Sequence, residues 1–329
     1  MALPKTVDWQ GDALTGRMVI IEQTKLPHKL ELLELTELDP TIEAIARLAV
    51  RGAPALGVAG AYGAVLALRT GQGNAGLDRL ANARPTAVNL GWAVDRVSRA
   101  AEGDPERALI EAKAIHADDV RTCRAIGEHG AALIEEGFGV LTHCNAGALA
   151  TGGMGTALAP MYVAHEQGRK FRVFADETRP LLQGARLTSF ELSENGVDVT
   201  VIADSMSPVV MREGKLNLVI TGADRVARNG DAANKIGTYG VALHARTHGL
   251  PFYIAAPKST FDANLESGAG IPIEERNPDE LRLLGDSQTA PPGVKVYNPA
   301  FDVTPAELIA GYITEDGILN SDELADWLK

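Results

Sequence analysis

The sequence predicts an α/β protein: a Rossmann-like, mostly parallel, doubly wound C-terminal sheet preceded by a smaller N-terminal domain of antiparallel strands and helices. Three observations carry this expectation. From Gly137 onward, short apolar runs rich in β-branched residues alternate with helical segments, the pattern of βα units in a sheet covered on both faces. Before that point the texture is two short strands and then a long succession of helices. Finally, 45% of the 329 residues are apolar, which at this length favours two domains over one. The boundary is placed near residue 125, giving domains 1–125 and 126–329.

In the N-terminal part, Met18–Gln23 and Lys29–Leu35 read as strands joined by Thr24–His28, with Pro27 in the turn. Asp39-Pro40 supplies a cap and a first-turn proline for a helix running to Val50. Arg51-Gly52-Ala53-Pro54 marks a break, and a second helix follows to about Leu68. Its small residues, among them Gly57, Gly60 and Gly63, let another backbone approach closely. The uncharged run Ala53–Leu68 falls short of the roughly 20 residues a membrane span needs, so it reads as a buried helix. Gly71-Gln72-Gly73-Asn74-Ala75-Gly76 satisfies the dinucleotide pattern G-x-G-x-x-G in the wrong context. An Ala/Leu helix precedes it where a strand is required, and Pro85 interrupts the helix that should hold the phosphate. It reads as a helix-to-helix loop. Further helices are expected over Leu90–Ala101 and Asp104–Glu135.

The C-terminal strands are expected at Gly139–Thr142, Arg172–Ala175, Val197–Ala203, Leu216–Thr221 and Phe252–Ala256. Helical segments separate them at Gly155–Gln167, Leu182–Leu192, Ser205–Arg212 and Ile236–His248. The tail adds a short run, Val294–Tyr297, and then Asn298–Asp302 leading into a helix capped at Thr304-Pro305.

Composition narrows the function. With 31 Lys and Arg against 43 Asp and Glu, the net charge is −12, which argues against nucleic acid or an anionic membrane as partner. A small anion can still be met by a local basic cluster. The first sixteen residues contain no apolar signal-like segment, so a soluble cytoplasmic protein is expected. Cys123 and Cys144 do not suggest a disulfide framework. The seven histidines lack zinc spacing and no acidic cluster resembles a magnesium cage, so neither metal nor cofactor is expected.

In open α/β sheets, ligands bind beyond the carboxyl ends of the strands. The expected strand ends deliver His143-Cys144-Asn145, Asp176-Glu177-Thr178, Asp204-Ser205, Asp224 and Pro257-Lys258. Cys144, near Gly-rich turns, suits an acid, base or nucleophile, against the plain alternative of a small buried hydrophobe. His143 projects to the opposite face of an extended strand and reads as structural. Asp224 ends an apolar run at Thr221-Gly222-Ala223-Asp224, ahead of a Gly- and Asn-rich loop. Asn234-Lys235 then opens a helix in this reading. Arg51-Gly52-Ala53, Arg84 and Asn234-Lys235 are candidate anion contacts, two of them at helix starts where backbone N–H groups are unpaired.

RGAPALGVAGAYG, RPTAVNL, THCNAGALATGGMGTAL, DETRPLLQGARLTSFEL, GADRVARNGDAANKIGTYGVALHA, PFYIAAP and IPIEERNP together resemble the 5-methylthioribose-1-phosphate isomerases of methionine salvage. Their superfamily also holds ribose-1,5-bisphosphate isomerases and regulatory subunits of a translation-initiation exchange factor. The resemblance extends from Trp9 to the NPAFDVTP segment. It implies an aldose-ketose isomerase acting on a sugar phosphate, usually a homodimer, with a strand-and-helix domain on a Rossmann-like one. Residue by residue, it implies that Cys144 and Asp224 are catalytic. It implies phosphate or substrate contacts for Arg51, Gly52, Ala53, Arg84, Gln183, Asn234 and Lys235. Two positions depart from the pattern: Ser189-Phe190 stands where Ala-Trp is expected, and Gly152-Gly153-Met154 where Ala-Gly-aromatic is common. The related substrates are 5-deoxyribose 1-phosphate and ribose 1,5-bisphosphate, and the non-catalytic alternative is a regulatory paralogue.

Overall fold

The computed structural model describes residues 2–84 and 87–329; Pro85 and Thr86, which belong to the RPTAVNL motif, and Met1 lie outside them. The chain divides into two compact units, one made of 1–125 with 146–159 and the other of 126–145 with 160–329. The first unit therefore reclaims a short segment from beyond residue 125.

The first unit opens with an antiparallel three-stranded sheet, β1 (Val7–Gln10), β2 (Arg17–Ile21) and β3 (Leu32–Leu35). Sequence reading missed β1 because VDWQ carries too short an alternation to register as a strand. Four helices follow, α1 (Leu38–Ala46), α2 (Ala53–Arg69), α3 (Gly73–Ala81) and α4 (Val88–Ala101), then α5 (Pro105–Ala131). Helix α1 starts at Leu38, ahead of the expected Asp39 cap, and ends short of Val50. Gly73 and Gly76 of the dinucleotide look-alike lie inside α3, with a turn before them and no strand. Helix α2 is apolar all round and is the core of the unit, as buried helices are. Its glycines do what small residues do: a methyl at Gly60 would stand 2.7 Å from Leu90 Cδ1 of α4.

The second unit is organised on a seven-stranded sheet. Its members are β4 (Gly139–Thr142), β5 (Arg172–Asp176), β6 (Asp198–Ile202), β7 (Leu218–Thr221), β10 (Phe252–Ala255), β15 (Gly311–Thr314) and β16 (Gly317–Leu319). The spatial order is β16-β15-β10-β7-β4-β5-β6, parallel throughout except at β16. β4 and β7 are buried along their whole length, as continuous apolar runs in a doubly covered sheet must be. The intervening helices are α6 (Ala159–Glu166), α7 (Ser189–Glu194), α8 (Ser207–Arg212) and α9 (Thr238–Thr247). From β4 the chain winds outward to β6, then returns to β7 on the other side of β4. The reversal between β4 and β7 is the point at which such sheets open a crevice.

Two expectations are corrected. The Gly- and Asn-rich stretch after Asp224 is no plain loop into a helix: it is a hairpin of β8 (Arg225–Ala227) and β9 (Ala232–Lys235), part of a second sheet with β11 (Phe261–Asp262) and β14 (Phe301–Thr304). Asn234 and Lys235 therefore sit on a strand, two residues before α9. The pairing of β9 with β14, from Lys235–Phe301 to Ala232–Thr304, overrides the local preference for a loop. The tail, in turn, holds no helix at Thr304-Pro305. That segment ends β14, turns once through Ala306–Leu308 and enters β15. A small hairpin, β12 (Leu283–Leu284) with β13 (Ser287–Gln288), follows the one-turn helix α10 (Asp279–Arg282), and α11 (Ser321–Trp327) closes the chain with an Asn320 capping box.

Candidate active site

Cys144 is two residues past the end of β4, on the β4 side of the reversal. Only 8% of its surface is exposed, and its φ is +65°, in the left-handed region that a non-glycine side chain rarely adopts. Two threonines hold it there. Its N–H donates to Thr178 Oγ1 at 2.8 Å, and its carbonyl accepts from Thr188 Oγ1 at 2.6 Å. Next door, Asn145 Nδ2 donates to Thr188 Oγ1 at 3.2 Å and to the buried carboxylate of Glu191. Thr178 is itself left-handed, φ +64°, and its turn is fixed by Asp204, whose two oxygens accept from the N–H groups of Thr178 and Arg179 at 2.7 Å. Left-handed conformations at β-branched residues cost of order 1–3 kcal/mol and concentrate at functional sites.

Gln183 lies in the same second unit, 7% exposed, with its Oε1 buried and without a hydrogen-bond partner among the described residues. It immediately precedes a π-helical segment, Gly184–Thr188, that brings Thr188 under Cys144. Single π turns are rare and recur where function needs a displaced side chain.

Asp224 follows β7 on the other side of the reversal and is exposed. Its N–H donates to Ala233 O at 2.9 Å, tying it to β9. The register pairs Leu141 with Val219, so the ends of β4 and β7 emerge side by side. On β9, Lys235 is half-buried. Its ammonium donates to Ala300 O at 3.0 Å and lies 4.6 Å from the Phe301 ring centroid. Asn234 is buried and donates to Thr238 Oγ1 at 3.0 Å. The amino end of α9 does not face them as an open anion site, because Asp302 occupies it, accepting from Gly237 N at 2.7 Å and Tyr239 N at 3.0 Å. Burial pushes the Asp302 carboxyl up, against those two N–H donors.

His143, read as structural, is nearly inaccessible at 1% exposure. Its Nδ1 is 2.9 Å from Asp176 Oδ2, and its Nε2 is 2.9 Å from the carbonyl of Ile236. Burial alone would lower its pKa. The Asp176 carboxylate, helped by Asp204 and the Ile236 carbonyl, overcomes that and raises it above the ordinary value. His143, Asp176 and Asp204 are also close enough to offer ligand atoms to a metal ion. Both ring nitrogens and both Asp204 oxygens are already engaged within the protein, so the group reads as an ion-pair network.

The first unit carries the other candidates. Arg51, Gly52 and Ala53 stand at the amino end of α2, and Arg84 follows α3. Gly52 is required: its φ is +91°, and a methyl there would overlap the Ala150 carbonyl. The segment around Gly152 hangs on two side chains of α5. His116 Nε2 contacts Gly152 O at 3.1 Å while its Nδ1 meets the Tyr62 hydroxyl at 2.8 Å. Asp119 Oδ2 accepts from Gly152 N at 2.6 Å, and burial pushes its carboxyl up to about 6. A methyl at Gly152 would come within 2.8 Å of His116 Cδ2, which accounts for the departure from alanine at that position.

The residues that sequence reading missed are the holders, not the held: Thr188, Glu191 and Asp302. Nothing local marks them, since their partners lie tens of residues away along the chain.

A family model described as the initiation factor 2 subunit family matches residues 49–321. A Heliobacterium modesticaldum protein named methylthioribose-1-phosphate isomerase is 52% identical, with 95% of each chain covered. One of the same name from Gemmatimonas aurantiaca is 51% identical over 98% of this chain and 96% of its own. The solved 5-methylthioribose 1-phosphate isomerase from Pyrococcus horikoshii OT3 superposes with a TM-score of 0.92 at 40% identity, covering 99% of this chain and 96% of that one. A structure from A. fulgidus, titled translation initiation factor eIF-2B, subunit delta, gives 0.88 at 45% identity over 98% and 100%.

Proposed function

This chain belongs to the initiation factor 2 subunit family, and from that premise we propose that it is an isomerase converting 5-methylthioribose 1-phosphate to 5-methylthioribulose 1-phosphate in methionine salvage. Relatives about half identical over nearly the whole chain carry that name, which supports the substrate. The observation that carries the chemistry is Cys144: a thiol in a left-handed conformation, clamped by two buried threonines, at the strand reversal that also delivers Asp224. A scaffold has no need to hold a cysteine at that cost, which favours an enzyme over a non-catalytic paralogue. The working assembly is a cytoplasmic homodimer without cofactor.

The chemical problem is that a phosphate on the anomeric oxygen blocks spontaneous ring opening. Asp224, protonated, gives its proton to the ring oxygen as the bond from that oxygen to C1 breaks. Asp224 is exposed in the free chain, so the bound sugar supplies the desolvation that favours its neutral form. A hydrogen then moves from C2 to C1 while the C2 hydroxyl loses its proton and becomes the ketone. In one route Cys144 takes the C2 proton, leaving an enol phosphate that is reprotonated at C1. In the other, hydride passes directly from C2 to C1 and Asp224 takes the hydroxyl proton. Arg51, Gly52, Ala53, Arg84, Gln183, Asn234 and Lys235 bind the sugar phosphate in this reading.

Comparing kcat/KM for 5-methylthioribose 1-phosphate, 5-deoxyribose 1-phosphate and ribose 1,5-bisphosphate on purified protein tests the proposal. Preference for either of the latter two would reassign the substrate, and no turnover of any would remove the isomerase. Running the reaction in D₂O separates the routes: solvent deuterium at C1 of the product excludes a pure hydride shift.

A further inference from the structure

We propose that His143 is a positioning residue that works as a doubly protonated latch, joining the end of the Cys144 strand to the turn that follows Asn234 and Lys235. This rests on the catalytic and binding roles assigned above.

His143 immediately precedes Cys144. Its two ring nitrogens meet two different elements at 2.9 Å: Asp176 at the end of β5, and the carbonyl of Ile236, the residue after Lys235. A backbone carbonyl accepts only, so Nε2 must carry a proton. A carboxylate also accepts, so with Asp176 ionised Nδ1 carries one too. A neutral imidazole has one N–H and can satisfy one of these partners. The imidazolium satisfies both.

The surroundings favour the charged form. Asp204 and Asp302 both add negative potential at the ring and hold the imidazole above its ordinary pKa, while burial, with Asp204 and Glu177 beside it, pushes the Asp176 carboxyl up as well. Asp176 Oδ1 has no hydrogen-bond partner among the described residues, although the residue is wholly buried. It lines a cavity of about 270 Å³ together with Ser207 and His244, whose Oγ and Nδ1 are likewise unpartnered. The unpartnered polar atoms facing that cavity leave room for a water on Asp176 Oδ1. His244 is the other histidine lining that cavity.

The fold keeps room for the ring and no more. Gly237, next to Ile236, has φ +106°, and a methyl there would lie 2.8 Å from His143 Cε1 and 3.0 Å from Nε2. Asp302 braces the same turn from its far side through Gly237 N and Tyr239 N. The His143 latch thus connects the end of β4 to a turn that β14 also braces.

If the latch holds both strand ends, weakening it affects two kinetic constants. Cys144 shifts and kcat falls; Asn234 and Lys235 shift and KM rises. Asp176→Leu tests this with little change of shape: leucine offers Nδ1 no hydrogen-bonding group, so the ring is held by Ile236 alone, whereas an asparagine amide could still bond Nδ1. We expect at least about a tenfold fall in kcat with a several-fold rise in KM, and the same pattern for His143→Gln. A residue that only supports the fold would lower the unfolding temperature and leave both constants in place, and that result in folded variants would overturn the proposal. The second readout needs no activity, so it stands apart from the isomerase reading and from any variant that does not fold. ¹⁵N NMR of the imidazole nitrogens in the full-length wild-type protein should show both His143 nitrogens protonated from pH 6 to 8. A neutral ring accepting at Nδ1 from a protonated Asp176 has the same heavy-atom geometry, and finding it would overturn the latch.

Discussion

Thr188→Val removes one hydroxyl and changes the side-chain shape very little, so it isolates what the clamp on Cys144 contributes. The hydroxyl donates to Cys144 O at 2.6 Å and accepts from Asn145 Nδ2 at 3.2 Å, in a fully buried position. Depriving a buried carbonyl of its donor costs about 1–3 kcal/mol. The longer bond from Asn145 adds less than about 1 kcal/mol, because that amide keeps Glu191. Together the variant should lose about 1–4 kcal/mol of stability, or roughly 2–16 °C in Tm for a unit of this size.

The same bonds set the conformation of Cys144. Its left-handed backbone lies about 1–2 kcal/mol above the alternatives. With Thr188 gone, Thr178 Oγ1 still accepts from Cys144 N, a bond worth about 1 kcal/mol net. The competent conformer then stands level with its competitors or about 1 kcal/mol above them, so kcat should fall about two- to sixfold with KM little changed. Thr188→Ser keeps the hydroxyl and should keep wild-type kcat while losing about 1 kcal/mol of packing. Steady-state kinetics and thermal unfolding of both variants decide the matter. A valine variant that is destabilised but fully active would refute the need for the left-handed clamp. Equal losses of kcat in the serine and valine variants would show that the hydroxyl is not what matters, because serine keeps it.

Cys144→Ser and Asp224→Asn should each abolish turnover with little loss of substrate binding. Either variant retaining more than about a tenth of wild-type kcat, only ~1.4 kcal/mol in barrier, loses its assigned role. Lys235→Ala should act mainly on KM, and an unchanged KM would remove Lys235 from the phosphate contacts. Asp119 supplies a pH test on the first unit. Its carboxyl is held at about 6 by burial against 3.8 unfolded, so its contribution is fully present below pH 3.8 and is lost as pH rises through 6. Between pH 4.5 and 7.5 this takes about 2 kcal/mol from the wild type, and Asp119→Asn should lack that part of the pH dependence in urea unfolding at the two pH values.

The parallel sheet was legible because its evidence is local. β4 and β7 are uninterrupted apolar runs ended by turn residues, and their bounds in the structure lie within two residues of the sequence reading. The buried glycine-rich helix α2 was legible for the same reason. The stretch after Asp224 was not, because what makes β9 a strand is β14, about seventy residues downstream. A window of ten residues holds Gly, Asn and Asp there and cannot see the partner.

The site divides along the same line. Cys144, Asp224 and Lys235 stood out by residue type at strand ends or near them. What holds them is a set of departures from local rules: left-handed φ at Cys144 and Thr178, a π turn before Thr188, and a helix cap supplied to α9 by Asp302 across 65 residues of chain. Each departure costs free energy where it occurs and is sustained by contacts distant in sequence. That is also why they are informative once seen. Thr178 and Thr188 both hold the Cys144 backbone, Thr188 also accepting from Asn145, and His143 ties the neighbouring position to the turn after Lys235. The strain and its supports converge on the two residues, thiol and ammonium, for which a sugar-phosphate isomerase has the most use.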